Sequence, residues 1–428
     1  MTTHTGLLTA VPPPRGAPHA PASTGKRIVF ISGFRIFPVN TGGHVRTASI
    51  ARALARMGHD VLIYSLAGRQ SDYGVARLRG PSYEIEPIEA RLREETHLGL
   101  AYGVLQTLAR RLDYPRVWQH GLLARGFIPR RLKAALDTAD IILCDMPWVP
   151  PIPGRWSGKP WFLVSHNLEH RLLEQAAGRH HDFAGWMRDI ERQAPQRYRD
   201  IFTCAEEDQA FFRTHGADSE RRLPLIRCGV DASAYLVPEG TRERVRAELG
   251  FAPDDHVLLF SGSGFTPNVE ALAGLREFCR ERSDVLARER IRLLVLGSVL
   301  AQPLREGPLV ATGRVPEVAP YFAASDAGLN PIVRGSGANV KLFEYLAARL
   351  PVISTAFGVR GTALQPERDF LLYEPAALQE ALERFVRSRS REAWRAHAEG
   401  VWSRHRETCE IGELVRAAVA QRPEFSAA

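Results

Sequence analysis

The sequence predicts an α/β protein built from two doubly wound, Rossmann-like domains that face a central cleft. From residue 26 onward, short apolar strands alternate with amphipathic helices, a pattern typical of parallel sheets with right-handed crossovers. The alternation begins again after the segment 237–240, which gives two units of similar size. Both units open with a similar loop, marked by Gly33 and Phe34 in the first and by Gly264 and Phe265 in the second.

In the first unit, 27–32 and 60–65 are predicted strands, and 44–57 between them has the spacing of an amphipathic helix. Further strands of this unit are expected at 83–88, 140–144, 161–165, 201–204 and 223–226. Helical stretches are expected at 98–113 and 116–136. This order predicts a parallel sheet in which every crossover helix lies between two strands.

The second unit repeats the same alternation. Its strands are expected at 256–261, 291–297, 310–313, 326–330, 352–355 and 369–373. Its helices are expected at 242–249, 268–282, 317–324, 338–348 and 376–386, with further helices from 391 onward. Ligands of such sheets bind beyond the carboxyl ends of the strands, so we expect the loops at those ends to form the site.

These patterns divide the chain into four parts. Residues 1–25 are rich in Pro, Thr, Ala and Gly and are predicted to form a disordered tail, without the apolar stretch of a signal peptide. Residues 26–228 are expected to form an N-terminal domain, and residues 229–405 are expected to form a C-terminal domain. Residues 406–428 are expected to form a final helix and tail. One arrangement left open is that this segment packs back on the N-terminal domain.

The composition narrows the class of protein. Of 428 residues, 45% are hydrophobic and 24% are charged, which is ordinary for a globular protein, and the net charge is +8. Lysine occurs only at positions 26, 133, 159 and 341, so nearly all basic residues are arginine. No basic run is interleaved with aromatic residues, so nucleic acid is not an expected partner. Peripheral contact with anionic lipid headgroups stays open.

The five cysteines are scattered, at positions 144, 204, 228, 279 and 409. None forms a C-x-x-C pair, so neither a structural zinc site nor a disulfide framework is expected. A reducing, cytoplasmic location fits this pattern.

The segment 331–351 carries the clearest functional signal. A buried-type strand runs into Gly335, Ser336 and Gly337, and a helix is predicted directly after them. Glycines and a helix start suit a phosphate or diphosphate. Lys341 and Glu344 lie four and seven residues after Gly337, on the same face of that helix. The alternative is a tight strand-to-helix turn, capped by Ser336 or Asn339, with both charges in solvent.

Several motifs together resemble the GT-B glycosyltransferases of family 4. The resemblance covers about residues 26–420 and rests on motifs in the family's order. They are Gly42-Gly43 with Arg46, Gly58-His59 with Val61, Gly229-Val230-Asp231, Pro267-Asn268 with Glu270, Gly313 with Val315, and the segment from Gly335 through Lys341, Glu344 and Pro351 to Gly361. The family's fold has two Rossmann-like domains and binds a nucleotide-sugar mainly through the second. The resemblance therefore implies that 26–228 is the acceptor-side domain and 229–405 the nucleotide-sugar-binding domain.

The resemblance implies roles for individual residues. Glu344 is expected to accept hydrogen bonds from the nucleotide ribose, and Lys341 is expected to act in catalysis by stabilising the leaving diphosphate. The other expected donor-binding residues are Gly42, Gly43, Arg334, Ser336, Gly337, Ala338 and Asn339. The family's first acid would stand eight residues before Glu344, where this chain has Ser336. The contact of that acid with the donor sugar therefore passes to Ser336, to backbone N–H groups or to nothing.

The segment from His166 to His170 allows two interpretations. It matches H-x-x-E-H, a zinc-peptidase pattern that requires both histidines on one helix. Residues 161–165 are a predicted strand that runs directly into His166, which argues against this reading. By the resemblance, His166 is a catalytic residue at the end of a strand, where it contacts the donor sugar. A histidine with a purely structural role is the simpler alternative.

Gly42 and Gly43 are either a flexible turn or the place where the backbone approaches the donor phosphates. The resemblance favours the second. The resemblance therefore implies a retaining, metal-independent glycosyltransferase without a cofactor, using a nucleotide-diphosphate sugar and an unidentified glycan, lipid or small-molecule acceptor. A nucleotide-sugar epimerase of similar architecture is one alternative. A catalytically silent nucleotide-sugar-binding protein is another.

Overall fold

The computed structural model describes residues 25–37, 39, 42–66, 83–97, 104–105, 108, 111–112, 123, 126–175, 179–217, 222–227, 229–335, 339–360 and 362–426. Three of the predicted donor-binding residues, Ser336, Gly337 and Ala338, lie outside the described residues. So do nearly all of the predicted tail 1–25, most of the predicted helical stretch 98–113 and the start of the stretch 116–136.

The first sheet has seven strands in the described part of the chain, in the order β3-β4-β2-β1-β5-β6-β7. Their bounds are Arg27–Ser32 (β1), Asp60–Ser65 (β2), Tyr83–Glu89 (β3), Leu92–His97 (β4), Ile141–Cys144 (β5), Trp161–Val164 (β6) and Asp200–Phe202 (β7). Neighbouring strands pair in parallel, except that β3 runs antiparallel to β4. The apolar strands β1, β5 and β6 are buried, as their continuous hydrophobic sequences require.

Helices cover both faces of this sheet and form its two core clusters. The described helices are Gly42–Arg56 (α1), Arg130–Thr138 (α2), Glu169–Gln175 (α3), Arg179–Asp182 (α4), Ala184–Arg192 (α5), Ala194–Arg197 (α6) and Glu206–Thr214 (α7).

The second sheet repeats this arrangement, with the strand order β10-β11-β9-β8-β12-β13-β14. The strands are His256–Ser261 (β8), Ile291–Leu296 (β9), Leu304–Glu306 (β10), Leu309–Ala311 (β11), Ala327–Asn330 (β12), Val352–Ser354 (β13) and Leu371–Leu372 (β14). The helices around it are Thr241–Glu248 (α8), Thr266–Glu281 (α9), Ser283–Arg288 (α10), Ala319–Ala324 (α11), Val340–Ala347 (α12) and Leu378–Ser388 (α13).

Each sheet has one central strand from which the chain proceeds in both directions. β1 lies between β2 and β5, and β8 lies between β9 and β12. Crevices form where the strand order reverses, and ligands of such sheets bind there. The loops that follow β1, β5, β8 and β12 are therefore the places to look for functional residues.

The observed sheets differ from the predicted ones at their edges. β4 and β10 were not expected, and they form the antiparallel hairpins β3–β4 and β10–β11. β4 has the polar sequence LREETH, in which Glu94 is buried because Ile36 and Phe37 donate backbone hydrogen bonds to it. The predicted strand 223–226 contributes only an isolated bridge between Thr203 and Leu225.

The C-terminal helices connect the two units. Helix α14 (Arg391–Cys409) packs through Trp394 in the core of the second unit and ends where Cys409 O accepts a hydrogen bond from Val230 N. Helix α15 (Ile411–Val419) then packs against α1 and shares a core cluster with the first sheet. At this crossing a Cβ on Gly229 would lie 2.7 Å from Cys409 O, so only glycine fits.

In the part of the chain that the structure describes, no helix combines the length and the apolar character needed to cross a membrane.

Candidate active site

A buried aspartate joins three segments at the carboxyl edge of the first sheet. Asp145 follows β5, and its carboxylate accepts hydrogen bonds from Ser32 Oγ at 2.8 Å and Thr47 Oγ1 at 2.6 Å. His166, which follows β6, has Nε2 2.9 Å from Oδ1 of the same carboxylate. The side chain of His166 is 7% exposed and that of Asp145 is 2% exposed. The arrangement therefore fixes the orientation of a histidine at the edge where ligands bind.

The protonation of this group follows from its contacts. Burial opposes the charge of Asp145, but the nearby His166 and the hydrogen bonds from His166, Thr47 and Ser32 hold the pKa of the carboxyl below its usual value. An ionised carboxylate can only accept, so we assign the proton shared with Asp145 to Nε2 of His166. Nδ1 is then the ring nitrogen left to contact a ligand.

The two histidines of the H-x-x-E-H pattern have different partners. His166 lies before α3, whereas Glu169 and His170 are the first residues of that helix. Nδ1 of His170 lies 2.5 Å from the carboxylate of Glu191 rather than beside His166. Among the described residues, no group of three or more His, Cys, Asp or Glu side chains is arranged to hold a metal ion. The zinc-peptidase geometry, with both histidines on one helix, is not what this segment forms.

Gly42 and Gly43 were expected in a loop, but they form the first turn of α1, which begins two residues earlier than predicted. The backbone N–H groups of a first turn have no partner within the helix. Glycine has no side chain to cover these groups, which is compatible with the approach of an anion, and that role of the two residues stays a prediction. Val45 packs against the core cluster of the second unit that includes Leu342, which brings this turn beside the second sheet.

The helix predicted at 338–348 is α12, and its start is tied to the adjacent strand ends. Nδ2 of Asn339 donates to Asn330 Oδ1 at 3.2 Å and to Gly358 O at 3.1 Å. Asn330 Nδ2 donates to the same carbonyl at 3.0 Å. A Cβ on Gly358 would lie 2.4 Å from Ser354 Oγ, so glycine is required where these groups converge.

Lys341 is half-buried in the first turns of α12. Its Nζ donates to Asn268 Oδ1 at 2.9 Å and lies 5.6 Å from the centre of the Phe260 ring. Burial lowers the pKa of Lys341 to about 8; Glu344 opposes this shift and Arg360 adds to it. A bound anion would relieve the cost of burying this ammonium, which makes the position suitable for a phosphate group.

Glu344 lies one turn after Lys341 and is also half-buried. Its Oε1 accepts a 2.9 Å hydrogen bond from the hydroxyl of Tyr235, which lies in the 3₁₀ turn Ala232–Tyr235 behind the crossover between the units. Burial raises the pKa of Glu344, and the Tyr235 hydrogen bond and Lys341 oppose that shift. The carboxylate can accept further hydrogen bonds, as recognition of a pair of hydroxyls requires.

Arg334 lies at the rim rather than inside the site. Its guanidinium pairs with Glu270 through Nε at 2.8 Å and through a second contact, and its side chain is 70% exposed. To contact a phosphate, Arg334 would have to leave Glu270. Gly335, which follows it, has a φ of 138° and packs beside Pro267, so this segment adopts a backbone that favours glycine.

Roles for Thr47, Asp145, Tyr235 and Asn268 were not predicted from the sequence, although each contacts a predicted site residue. Ser32 was not predicted either, and it reaches the site through Asp145. One signal was available for Asp145, which directly follows a buried strand at the carboxyl edge of a parallel sheet. A second was available for Asn268, which belongs to the Pro267-Asn268 motif. Neither signal indicated which side chain these residues would contact.

Two protein-family models match the chain. The model described as Glycosyltransferase Family 4 matches residues 41–234, and the model described as Glycosyl transferases group 1 matches residues 255–388. The first match ends in the crossover between the units and the second begins at β8, so each model matches one unit. No curated protein matches the sequence.

Solved structures of similar fold span nearly the whole chain. Sucrose-phosphate synthase from Thermosynechococcus elongatus is 16% identical with a TM-score of 0.64, covering 94% of this chain and 100% of its own. The UDP-forming α,α-trehalose-phosphate synthase from Burkholderia xenovorans, in complex with glucose-6-phosphate, is 13% identical with a TM-score of 0.63, covering 92% and 99%. Anabaena HepE, in complex with UDP and glucose, is 13% identical with a TM-score of 0.58, covering 92% and 98%. These likenesses show the two-domain fold.

Proposed function

We propose that this chain, which belongs to the family 4 glycosyltransferases of GT-B fold, moves a sugar from a nucleotide-diphosphate donor to an acceptor with retention of configuration. The observation that carries this proposal is the pairing of Lys341 and Glu344 on one face of α12, at the carboxyl edge of the second sheet. A cation one helical turn from a carboxylate suits a ligand that has a diphosphate next to a pair of hydroxyls.

In this proposal the second unit holds the donor. Glu344 accepts hydrogen bonds from the ribose hydroxyls, on the oxygens that Tyr235 leaves available. Lys341 and the backbone at the start of α12 contact the diphosphate, with Asn339 holding that start in place. Lys341 is the only lysine after residue 159 in an arginine-rich chain, and its compact ammonium fits the pocket formed by Asn268 and Phe260.

The reaction breaks the bond between the anomeric carbon and the leaving phosphate oxygen. A bond from the acceptor oxygen forms on the same face of the sugar, and the acceptor proton passes to the leaving phosphate. Lys341 stabilises the charge that develops on this diphosphate. The chain supplies that positive charge from its own side chains, and we propose that the reaction needs neither a metal ion nor a cofactor.

The first unit supplies the sugar-facing histidine. Asp145 holds His166 through Nε2, which leaves Nδ1 for a hydroxyl of the donor sugar. The first turn of α1, at Gly42 and Gly43, approaches the donor phosphates from the other side of the cleft. We propose a cytoplasmic protein, in keeping with four free, buried cysteines among the described residues. Its acceptor is a glycan, a lipid or a small molecule, and a lipid acceptor would require peripheral contact with a membrane.

The experiment that tests this function begins with donor binding. Thermal unfolding is followed with UDP-glucose, UDP-N-acetylglucosamine, GDP-mannose and ADP-glucose, with the matching nucleoside monophosphates as controls. We expect one nucleotide-sugar to raise Tm more than its monophosphate, because ligands that bind only the folded state stabilise it. No rise with any diphosphate sugar would contradict the proposal.

Product analysis then separates the alternatives. A transferase releases nucleoside diphosphate, slowly to water and faster with an acceptor. An epimerase leaves an intact nucleotide-sugar with altered configuration, and a silent binding protein leaves the donor unchanged. The second outcome would replace the proposed function with the epimerase. The third outcome would replace the proposed function with the catalytically silent binding protein. That alternative is kept because Ser336 stands where the family has an acid.

A further inference from the structure

The second half of the H-x-x-E-H segment, Glu169 and His170, has no part in the proposed reaction. Both residues are buried, and both contact Glu191 of α5, which is fully buried. Glu191 Oε1 accepts the backbone N–H of Glu169 at 2.6 Å. Its Oε2 accepts the backbone N–H of His170 at 3.3 Å and the ring Nδ1–H at 2.5 Å. One carboxylate from a distant helix therefore receives three donors from the first two residues of α3.

These contacts lie directly behind His166. Only Asn167 and Leu168 separate His166 from the residues that Glu191 holds. The carbonyl of His166 is fixed as well, because the thiol of Cys204 donates to it at 2.6 Å. The imidazole can keep its 2.9 Å contact with Asp145 only while its backbone stays at this position.

The enclosure of His170 explains why a histidine stands there without reaching the cleft. Its ring lies 5.1 Å from the ring of Phe211, and its Nδ1–H is donated to Glu191. A buried donor without an acceptor is costly, so the pair is stable only when both partners are present. The Glu191–His170 pair thus acts as a clasp between α5 and the start of α3.

We propose that Glu191 is a positioning residue, which seats the turn after β6 and thereby keeps His166 in its contact with Asp145. This inference rests on the proposed role of His166 in the reaction. It assigns a function to the E-H half of the segment, which neither a zinc site nor direct catalysis explains.

The primary test is Glu191→Gln, with Asp189→Asn as a matched control. Glutamine has one acceptor oxygen and one NH₂ donor, so it cannot accept at both positions that the carboxylate serves. Asp189 lies on the same helix. Its side chain is 64% exposed and forms a surface ion pair with Arg192 at 3.6 Å. The control therefore loses the same charge from α5 without affecting the clasp.

The first readout is independent of activity. Hydrogen–deuterium exchange of the peptide 166–175 in the ligand-free protein reports the backbone that Glu191 holds. We expect exchange in this peptide to rise at least about tenfold in Glu191→Gln and to stay at the wild-type rate in Asp189→Asn. Unchanged exchange in Glu191→Gln overturns the proposal, whatever the enzyme does to a donor.

The second readout is nucleoside diphosphate release from the four nucleotide-sugars of the donor screen. We expect kcat to fall about tenfold in Glu191→Gln, the lower end of the loss when a residue that orients a metal-bound histidine is removed, with little change in KM for the donor. In a His166→Ala background the same substitution should have almost no further effect, because residues that act through one another are not additive. Losses that multiply fully would overturn the proposal.

His170→Phe serves if Glu191→Gln does not fold, because it keeps a ring at this position and the carboxylate of Glu191 but removes the ring N–H, one of the three donors. We expect the same pattern with smaller changes, and wild-type exchange in this variant contradicts the clasp. The two readouts distinguish a failure of this inference from a failure of the proposed function. If no nucleotide-sugar is turned over by the wild type, the proposed function fails, and the exchange measurement still decides whether Glu191 seats the turn.

Discussion

Asp145 and His166 come from the ends of two neighbouring strands and meet with His166 Nε2 2.9 Å from the buried carboxylate. The same carboxylate is bonded by Ser32 and by Thr47 of α1, so four segments of the first unit meet at one charge. A charge that is this deeply buried is stable only with its full set of donors. The group therefore fixes the ring orientation of His166 and contributes to the stability of the first unit.

Asp145→Asn should lower turnover and stability together. The amide lacks the negative charge that holds Nε2–H of His166, and its NH₂ group adds a donor where other side chains already donate. We therefore expect kcat to fall at least about tenfold and the free energy of unfolding to fall by about 1–3 kcal/mol. Nucleotide affinity should stay at the wild-type value, because we propose that the second unit holds the nucleotide. Urea unfolding and steady-state kinetics check this, with the exposed Asp254 changed to Asn as control. Wild-type turnover in Asp145→Asn would contradict the role of the pair.

Tyr235→Phe should weaken nucleotide binding without abolishing it. The hydroxyl donates to Glu344, and its loss raises the pKa of that carboxyl further, because the hydrogen bond opposes the effect of burial. We expect the affinity for the preferred nucleoside diphosphate to fall about tenfold at neutral pH, equivalent to one charge-assisted hydrogen bond. The loss should grow as the pH is lowered and Glu344 becomes protonated. Calorimetric affinities that are equal to wild type from pH 5 to pH 8 would refute the coupling.

The lowered pKa of Lys341 predicts that the protein takes up protons when it binds a nucleotide at alkaline pH. The pKa of about 8 in the free protein rises when an anionic diphosphate binds, so the bound state holds the proton more tightly. Affinity should therefore fall as the pH rises through about 8 and above. Calorimetry at pH 8.5 in two buffers of different ionisation enthalpy measures the uptake.

The variant Lys341→Met should lose most of this proton uptake, and its turnover should fall by orders of magnitude. Lys159→Met is the control, because Lys159 bonds backbone carbonyls of the first unit, away from α12. If Lys341→Met takes up as many protons as the wild type, the ammonium does not contact the diphosphate.

The sequence predicted the sheet strands that are continuous apolar runs, because burial on both faces leaves a signal in the local composition. It also placed His166 at a strand end and Lys341 with Glu344 on one helix, since strand direction and helical spacing are local properties. The polar edge strand β4 was not predictable in this way. Its Glu94 is buried only because backbone N–H groups of Ile36 and Phe37, 58 and 57 residues away in sequence, reach it.

The supporting contacts of the site were not predictable for the same reason. Thr47 and Asp145 are 98 residues apart, and Tyr235 and Glu344 are 109 residues apart. Each pair meets only in the folded chain, and nothing in the local sequence shows which distant residue its partner will be. The start of α1 was placed two residues late because glycine is a poor helix former, whereas at a first turn its low propensity costs little.

The raised pKa of Glu169 predicts that the stability of the protein depends on pH, independently of donor binding. Burial and the neighbouring carboxylates of Glu191, Asp145 and Asp208 raise the pKa of Glu169 to about 8, from 4.5 in the unfolded chain. The folded protein binds this proton more tightly, so the stabilisation is complete below pH 4.5 and is lost as the pH rises to about 8.

In Glu169→Gln, which mimics the neutral carboxyl, the free energy of unfolding should fall less between pH 5 and pH 9 than it does in the wild type. Urea unfolding at a series of pH values tests this, with the exposed Glu281→Gln as control. Parallel curves for Glu169→Gln and the wild type would show that Glu169 does not titrate in this range.

The central claim is that α12 holds the nucleotide of the donor, and calorimetric titration with UDP, GDP and ADP tests it most directly. We expect the wild type to bind at least one of them at a single site, and Glu344→Ala to lose that affinity at least about 100-fold, since both ribose hydroxyls lose their acceptor. Glu399→Ala, an exposed glutamate on α14, should bind like the wild type. Equal affinity in Glu344→Ala and the wild type, or no binding by the wild type, would contradict the account.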